Sequence, residues 1–248
     1  DGPLSGSSDG GRILNTDLAR ELSPEYRADR SRSAEVHEPA SAFVKKLFAQ
    51  MLTEPVPAGK TKTVLFTAGG TGAGKSTGMN LLPDNDTAGI VFDTNMNTRE
   101  SAQQKVDQAL EAGWAVTIQY TYRDPIEALK NGALPRAERM GRTVPLSAHI
   151  ETHVGSRKTV AELAQRYAGN PRVLVFVADN SQGKGNAKLV PLENIPEVSD
   201  VGLYETAEQT VRTAFEAGRI TETTLRGTLA GREGRNGPAA QPARGRDS

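Results

Sequence analysis

Along this chain, short runs of β-branched and aromatic residues alternate with longer stretches whose apolar positions recur every three to four residues. The runs at 63–68 (TVLFTA), 89–93 (GIVFD), 115–122 (AVTIQYTY) and 173–178 (VLVFVA) are bounded by polar or glycine punctuation. That pattern predicts buried parallel strands. Ala40, Phe43, Val44, Leu47, Phe48, Met51 and Leu52 make one helical stripe that Pro55 and Pro57 close,. Asn97 with Glu100 resembles a capping box, Val106, Ala109 and Leu110 form the stripe behind it, and Gly113 suits a left-handed stop,. Asp124 opens a further helix, Val160, Leu163, Ala164 and Tyr167 carry another, and 203–229 reads as helical. Strand alternating with helix implies an α/β fold around a mostly parallel central sheet.

Composition narrows the classes. The 248 residues contain 30 Lys+Arg against 30 Asp+Glu, so no net charge argues for a dedicated nucleic-acid binder, and nucleic acid is not an expected partner,. Cys is absent, which removes disulfides and thiolate metal sites, and no apolar run approaches the ~18 residues of a bilayer span,. A soluble protein of a reducing compartment such as the cytoplasm fits. Residues 1–11 and 232–248, rich in Gly, Ser, Pro and Arg, are expected to be flexible, which leaves 12–231 as one domain,. A first residue other than Met is expected of a processed form or of a segment of a longer protein.

The run at 63–68 leads straight into Gly69-Gly70-Thr71-Gly72-Ala73-Gly74-Lys75-Ser76-Thr77, a full match to G-x-x-x-x-G-K-[ST] in the strand-loop-helix setting that pattern requires,. Converging backbone N–H groups cradle phosphate oxygens, and glycines permit the necessary φ values and close approach. Lys75 supplies an ammonium for the β and γ phosphates, Ser76 a hydroxyl for Mg²⁺, and Thr77 supports the helix start. ATP or GTP with Mg²⁺ is the expected ligand.

Nucleotide binding alone does not separate kinase from switch or motor; a kinase also needs a base, an acceptor pocket and arginines over the transferred phosphoryl. Asp93, followed by Thr94 and Asn95, ends the strand after the loop, and carboxyl ends of parallel strands face the active crevice,. Asp17, followed by Arg20, ends a shorter apolar run and is either a strand-end acid or a helix N-cap,. Arg136, Arg139 and Arg142 recur at three-residue spacing around Gly141, as a closing lid requires,. His149 and His153 lack the H-E-x-x-H form and a third ligand, so packing or polar contacts are expected of them,.

These residues resemble the zeta toxins, P-loop kinases related to polynucleotide and shikimate-type kinases. Asn15-Thr16-Asp17-Leu18-Ala19-Arg20 with Pro24 and Tyr26 looks like that family's base segment. Val91-Phe92-Asp93-Thr94 looks like its acid strand, and 132–136 with 142–149 looks like its lid. The resemblance implies a three-layer P-loop kinase-like fold and transfer of a γ-phosphoryl to a hydroxyl of a nucleotide-type metabolite, such as a UDP-N-acetyl sugar or NAD. It also implies a toxin or effector with an antitoxin or chaperone partner. Asp17 would be the base and Asp93 the acceptor ligand if the strand order is permuted, because the family carries its loop first. Without permutation Asp93 takes the base role. A polynucleotide 5′-hydroxyl kinase and a non-catalytic nucleotide-binding module are the alternatives.

Overall fold

The structure is a computed structural model that describes residues 12–28, 36–82, 85–183 and 185–230. The expectations for 1–11 and 232–248 lie outside those residues. Strands β1 (Ile13–Asn15), β2 (Thr61–Ala68), β3 (Ala88–Asp93), β4 (Ala115–Tyr122), β5 (Val173–Asp179) and β6 (Lys188–Leu189) form one sheet in the order β1-β3-β2-β4-β5-β6. All pairings are parallel except that of β6 with β5. The strand nearest the N-terminus thus lies at the edge beside β3, with Asn15 opposite Asp93, although the glycine loop that follows β2 comes later in the chain.

Ten helices surround the sheet among the described residues: α1 (Thr16–Arg20), α2 (Pro24–Ala28), α3 (His37–Met51), α4 (Lys75–Met79), α5 (Arg99–Glu111), α6 (Pro125–Ala128), α7 (Leu134–Met140), α8 (Leu146–Arg166), α9 (Leu203–Glu216) and α10 (Glu222–Leu229). A π-helical turn, Leu129–Ala133, joins α6 to α7. Val64, Phe66, Phe92, Val116 and Ile118 face α3, α5 and α8 in the main core. There Phe48 of α3 meets Phe66 and Phe92 edge-on, with ring centroids 5.8 and 5.1 Å apart,. Trp114, buried, donates its indole N–H to Leu52 O at 3.0 Å and so ties the end of α3 to the start of β4. The opposite face, Leu65 and Val91 under Met79 and Leu82, is more thinly covered. Leu129, Leu134, Leu146, Ile150 and Val211 make a separate cluster that holds α7, α8 and α9 together.

Several expectations shift. Asn97 is not a cap: α5 starts after Thr98, whose side chain makes no capping bond. Asp17 is neither strand end nor N-cap. Asn15 caps α1 by accepting from Asp17 N at 2.6 Å and Leu18 N at 3.3 Å, which puts Asp17 in the first helical turn,. The 203–229 stretch breaks at 217–221, and β5 leaves Leu174 53% exposed because the sheet is thinly covered there. Asp124 does cap α6, and Gly113 does adopt a left-handed φ of 79°. No helix among the described residues is long and apolar enough to cross a membrane.

Candidate active site

At the carboxyl end of β2 the chain turns through residues 69–74 into α4, and Gly74, at φ 89°, occupies the N-cap in a left-handed conformation. The loop is held from three sides. Gly69 N donates to Asn95 O at 3.1 Å. Asn180 Nδ2 donates to Ala73 O at 2.7 Å. Helix α8 braces the tip: Thr71 N donates to Thr152 Oγ1 at 3.1 Å, and the His153 ring bonds Thr71 O through Nε2 at 2.9 Å. Ser156 Oγ, bonded to Thr152 O, also reaches Asn95 O at 2.7 Å and so joins the loop's two supports. Gly70 sits so close to the imidazole that a Cβ there would lie 2.2 Å from ring carbons of His153. Burial, then the neighbouring His149 and Lys75, push His153 down to about 3, so the ring is neutral at physiological pH,.

Beside the loop opens a cleft of ≈ 520 Å³. Lys75 points into it and donates to Asn95 Oδ1 at 2.8 Å. Asp93 is fixed by two donors, Asn15 Nδ2 at 2.5 Å and Thr67 Oγ1 at 2.7 Å, so the edge strand and the central strand both orient it. Asp17, entering from α1, is gripped in bidentate fashion by Arg142, with Nη1 to Oδ2 at 2.7 Å and Nη2 to Oδ1 at 2.9 Å,. Arg20 adds a bond at 3.0 Å, and Arg136 stands 3.9 Å away. Burial raises the Asp17 pKa, but the hydrogen bond and charge of Arg142, with the charges of Arg20 and Arg136, outweigh it and hold the carboxyl below its ordinary value,.

The cleft therefore gathers Asp17, Arg20, Thr71, Gly72, Lys75, Asp93, Thr94, Asn95, Arg136 and Arg142. Gly69, Gly70 and Ala73 are buried behind its wall, and Ser76 is exposed on the first turn of α4. Gly74 and Thr77 are not on the lining either. Arg139 is not brought in: one turn along α7 from Arg136, it stays exposed, because the buried face of that helix is Leu134 and Ala137. Sequence reasoning missed Lys45, Lys105, Ser41, Ser101 and Thr152, which line the cleft. Their polar positions on α3, α5 and α8 carry no motif. It also missed the role of His37, a cleft residue whose Nδ1 meets the Arg20 guanidinium. His149 and His153 are packing histidines, with ring centroids 4.6 Å apart and one Nε2 bond each to a backbone carbonyl.

A mostly parallel sheet with a glycine loop between β2 and α4, and a cleft at the strands' carboxyl ends, define a P-loop kinase-like fold,. Residues 84–188 match the family model of the zeta toxins, a kinase-like family. The match runs from just before β3 to the start of β6, so the glycine loop and Asp17 lie outside it. Among solved structures, the chain is similar to one described as the crystal structure of AvrRxo1-ORF1:AvrRxo1-ORF2 with sulphate ions. Identity there is 14% and the TM-score 0.48, over 91% of this chain and 66% of that one. A native AvrRxo1-ORF1:-ORF2 complex matches at 14% identity and a TM-score of 0.43, over 77% and 71%. The chain thus spans somewhat under two thirds of the first neighbour's length. No curated protein matches it.

Proposed function

We propose that the protein is a Mg²⁺-dependent ATP or GTP phosphotransferase that phosphorylates a hydroxyl of a nucleotide-type metabolite, such as a UDP-N-acetyl sugar or NAD, and acts as a toxin or effector. The observation that carries this reading is the convergence of Lys75, Asp93 and the Asp17–Arg142 pair on one cleft. The loop holds its tight turn only with glycines, since a Cβ would lie 2.5 Å from Thr121 O at Gly69 and 2.4 Å from Asn180 at Gly74, and backbone amides of such a turn can converge on phosphate oxygens. Ser76, exposed directly after Lys75, is the hydroxyl that would ligate Mg²⁺. The ion, when bound, neutralises charge on the phosphates.

In this reading Lys75 and the loop amides hold the β and γ phosphates, and Asp93 orients the acceptor through its fixed carboxylate. Asp17 accepts the acceptor's hydroxyl proton, and Arg136 and Arg142 meet the transferring phosphoryl. A carboxylate clamped by arginines is a poor base. When Arg142 and Arg136 turn to phosphoryl oxygens, Asp17 loses the charges that depress its pKa, so its basicity rises as the donor arrives. Arg139 has no part in this arrangement. An antitoxin or chaperone covering the nucleotide site is the protein partner proposed on the strength of the family resemblance.

The test incubates wild-type protein and Lys75→Ala with Mg-ATP and a metabolite extract, and mass spectrometry seeks species that gain one phosphate. Wild type should produce them and Lys75→Ala should not. ADP release that never depends on an acceptor would reduce the protein to a nucleotide-binding module.

A further inference from the structure

The wall of the cleft formed by α3 and α5 carries two lysines for which the phosphate loop has no use. Lys45 on α3 and Lys105 on α5 line the same cleft as Asp17, Asp93 and Lys75. The Lys105 ammonium donates to Ser101 Oγ at 2.7 Å, one turn back on its own helix, and stands 5.5 Å from the centroid of the Phe92 ring. Among the described residues no carboxylate forms an ion pair with either lysine, whereas Arg142 and Arg20 are both matched to Asp17. Burial, and then the charge of Lys45, lower Lys105 to about 8. Lys105 is half-buried and Lys45 stands exposed on the same wall, so an anion bound between the two ammonium groups would meet two unmatched positive charges.

We infer that Lys45 and Lys105, with the Ser41 and Ser101 hydroxyls, form an oxyanion subsite that grips a phosphate or diphosphate group on the acceptor. The inference rests on the phosphotransferase reading and deepens it. An ammonium is a compact donor that suits phosphate oxygens, and two hydroxyls complete their hydrogen bonding. Val44 and Phe92, also on the lining, offer an apolar surface to a base or sugar ring beside that group. The anionic part of the acceptor is held on the α3–α5 wall, its hydroxyl is presented to Asp17, and neutral sugars and hydroxyls of uncharged peptides are poor acceptors.

The test titrates sodium pyrophosphate calorimetrically into full-length Lys75→Ala protein at physiological salt, which removes the loop's own ammonium. Binding should persist and weaken at least tenfold when Lys45→Met and Lys105→Met are added, with most of it restored by Lys45→Arg and Lys105→Arg. The exposed pair Lys62→Met and Lys158→Met, which removes the same charge elsewhere, should leave it unchanged. Unaltered pyrophosphate affinity in the lysine variants, an equal loss in the charge-matched control, or no binding to Lys75→Ala protein each overturns the subsite. Single Lys45→Gln and Lys105→Gln proteins, checked by thermal melting, give the same readout if the double variant misfolds. Mg-ATP affinity, measured separately with Lys75 intact, should match wild type in the Lys45→Met/Lys105→Met protein. Failure of wild type to bind Mg-ATP would sink the phosphotransferase reading, while the pyrophosphate titration would still decide the subsite.

Discussion

Gly70→Ala puts the brace between the glycine loop and α8 to a quantitative test. The added methyl would lie 2.2 Å from Cγ and Cδ2 of His153 and 2.4 Å from Cε1, more than an ångström inside ordinary contact. The ring has nowhere to retreat. It is 3% exposed, bonded to Thr71 O at 2.9 Å and packed against the His149 ring. Either the loop or α8 must shift, and a shift of either strains the Thr71–Thr152 bond beside it. Overpacking of this kind costs about 1–3 kcal/mol. At roughly 2–4 °C per kcal/mol for a chain of this size, the melting temperature should fall by about 2–12 °C. The assay is a double-mutant cycle by thermal and urea melts with His153→Ala, which by itself leaves Thr71 O without its partner. If the clash is the cause, the double variant should recover at least about 1 kcal/mol relative to additivity. Strict additivity, or a Gly70→Ala protein that melts like wild type, would refute the brace.

Two further outcomes follow from charge. Asp17→Asn removes an ion pair whose carboxyl is held below its ordinary value. The stability it forfeits, about 1 kcal/mol at most for a carboxylate 38% exposed and screened by solvent, is present above pH ~4 and is lost as pH falls through the depressed value,. The gap between urea melts of the two proteins should therefore be full at pH 6 and narrow steadily as pH falls below about 4, and a constant gap would exclude the ion pair as its source,. Lys105, pressed down to about 8, binds its proton less firmly folded than unfolded, so wild type should gain stability relative to Lys105→Met as pH rises from about 8 toward 10.5,. A gap between those two proteins that stays flat across that range would show that the ammonium is well solvated.

How much of this was legible in the sequence depends on the range over which each signal acts. The strands at 63–68, 89–93, 115–122 and 173–178 lie within two residues of their observed bounds, because continuous β-branched runs between turn residues act locally,. The glycine loop was legible because its chemistry occupies consecutive residues. Asp17 was visible as an acid after an apolar run, but its position in the first turn of α1 depends on Asn15 reaching both the helix amides and Asp93, 78 residues on. The equal spacing of Arg136, Arg139 and Arg142 suggested one lid, but only Arg136 and Arg142 line the cleft, because α7 turns Arg139 to another face. Lys45, Lys105 and Thr152 had no local signature, since their meaning arises only when three helices converge on the strand ends.

The π-helical turn that precedes α7 touches the glycine loop itself: a Cβ on Gly132 would lie 2.6 Å from Gly72 O, and one on Gly72 would lie 2.5 Å from Ala128 O. Two bare backbones are in direct apposition, with no side chain between them to absorb play. Arg136 follows Gly132 by four residues, so the backbone path from Gly72 to this cleft-lining guanidinium is short,. The two sides of the cleft meet backbone to backbone at these two glycines.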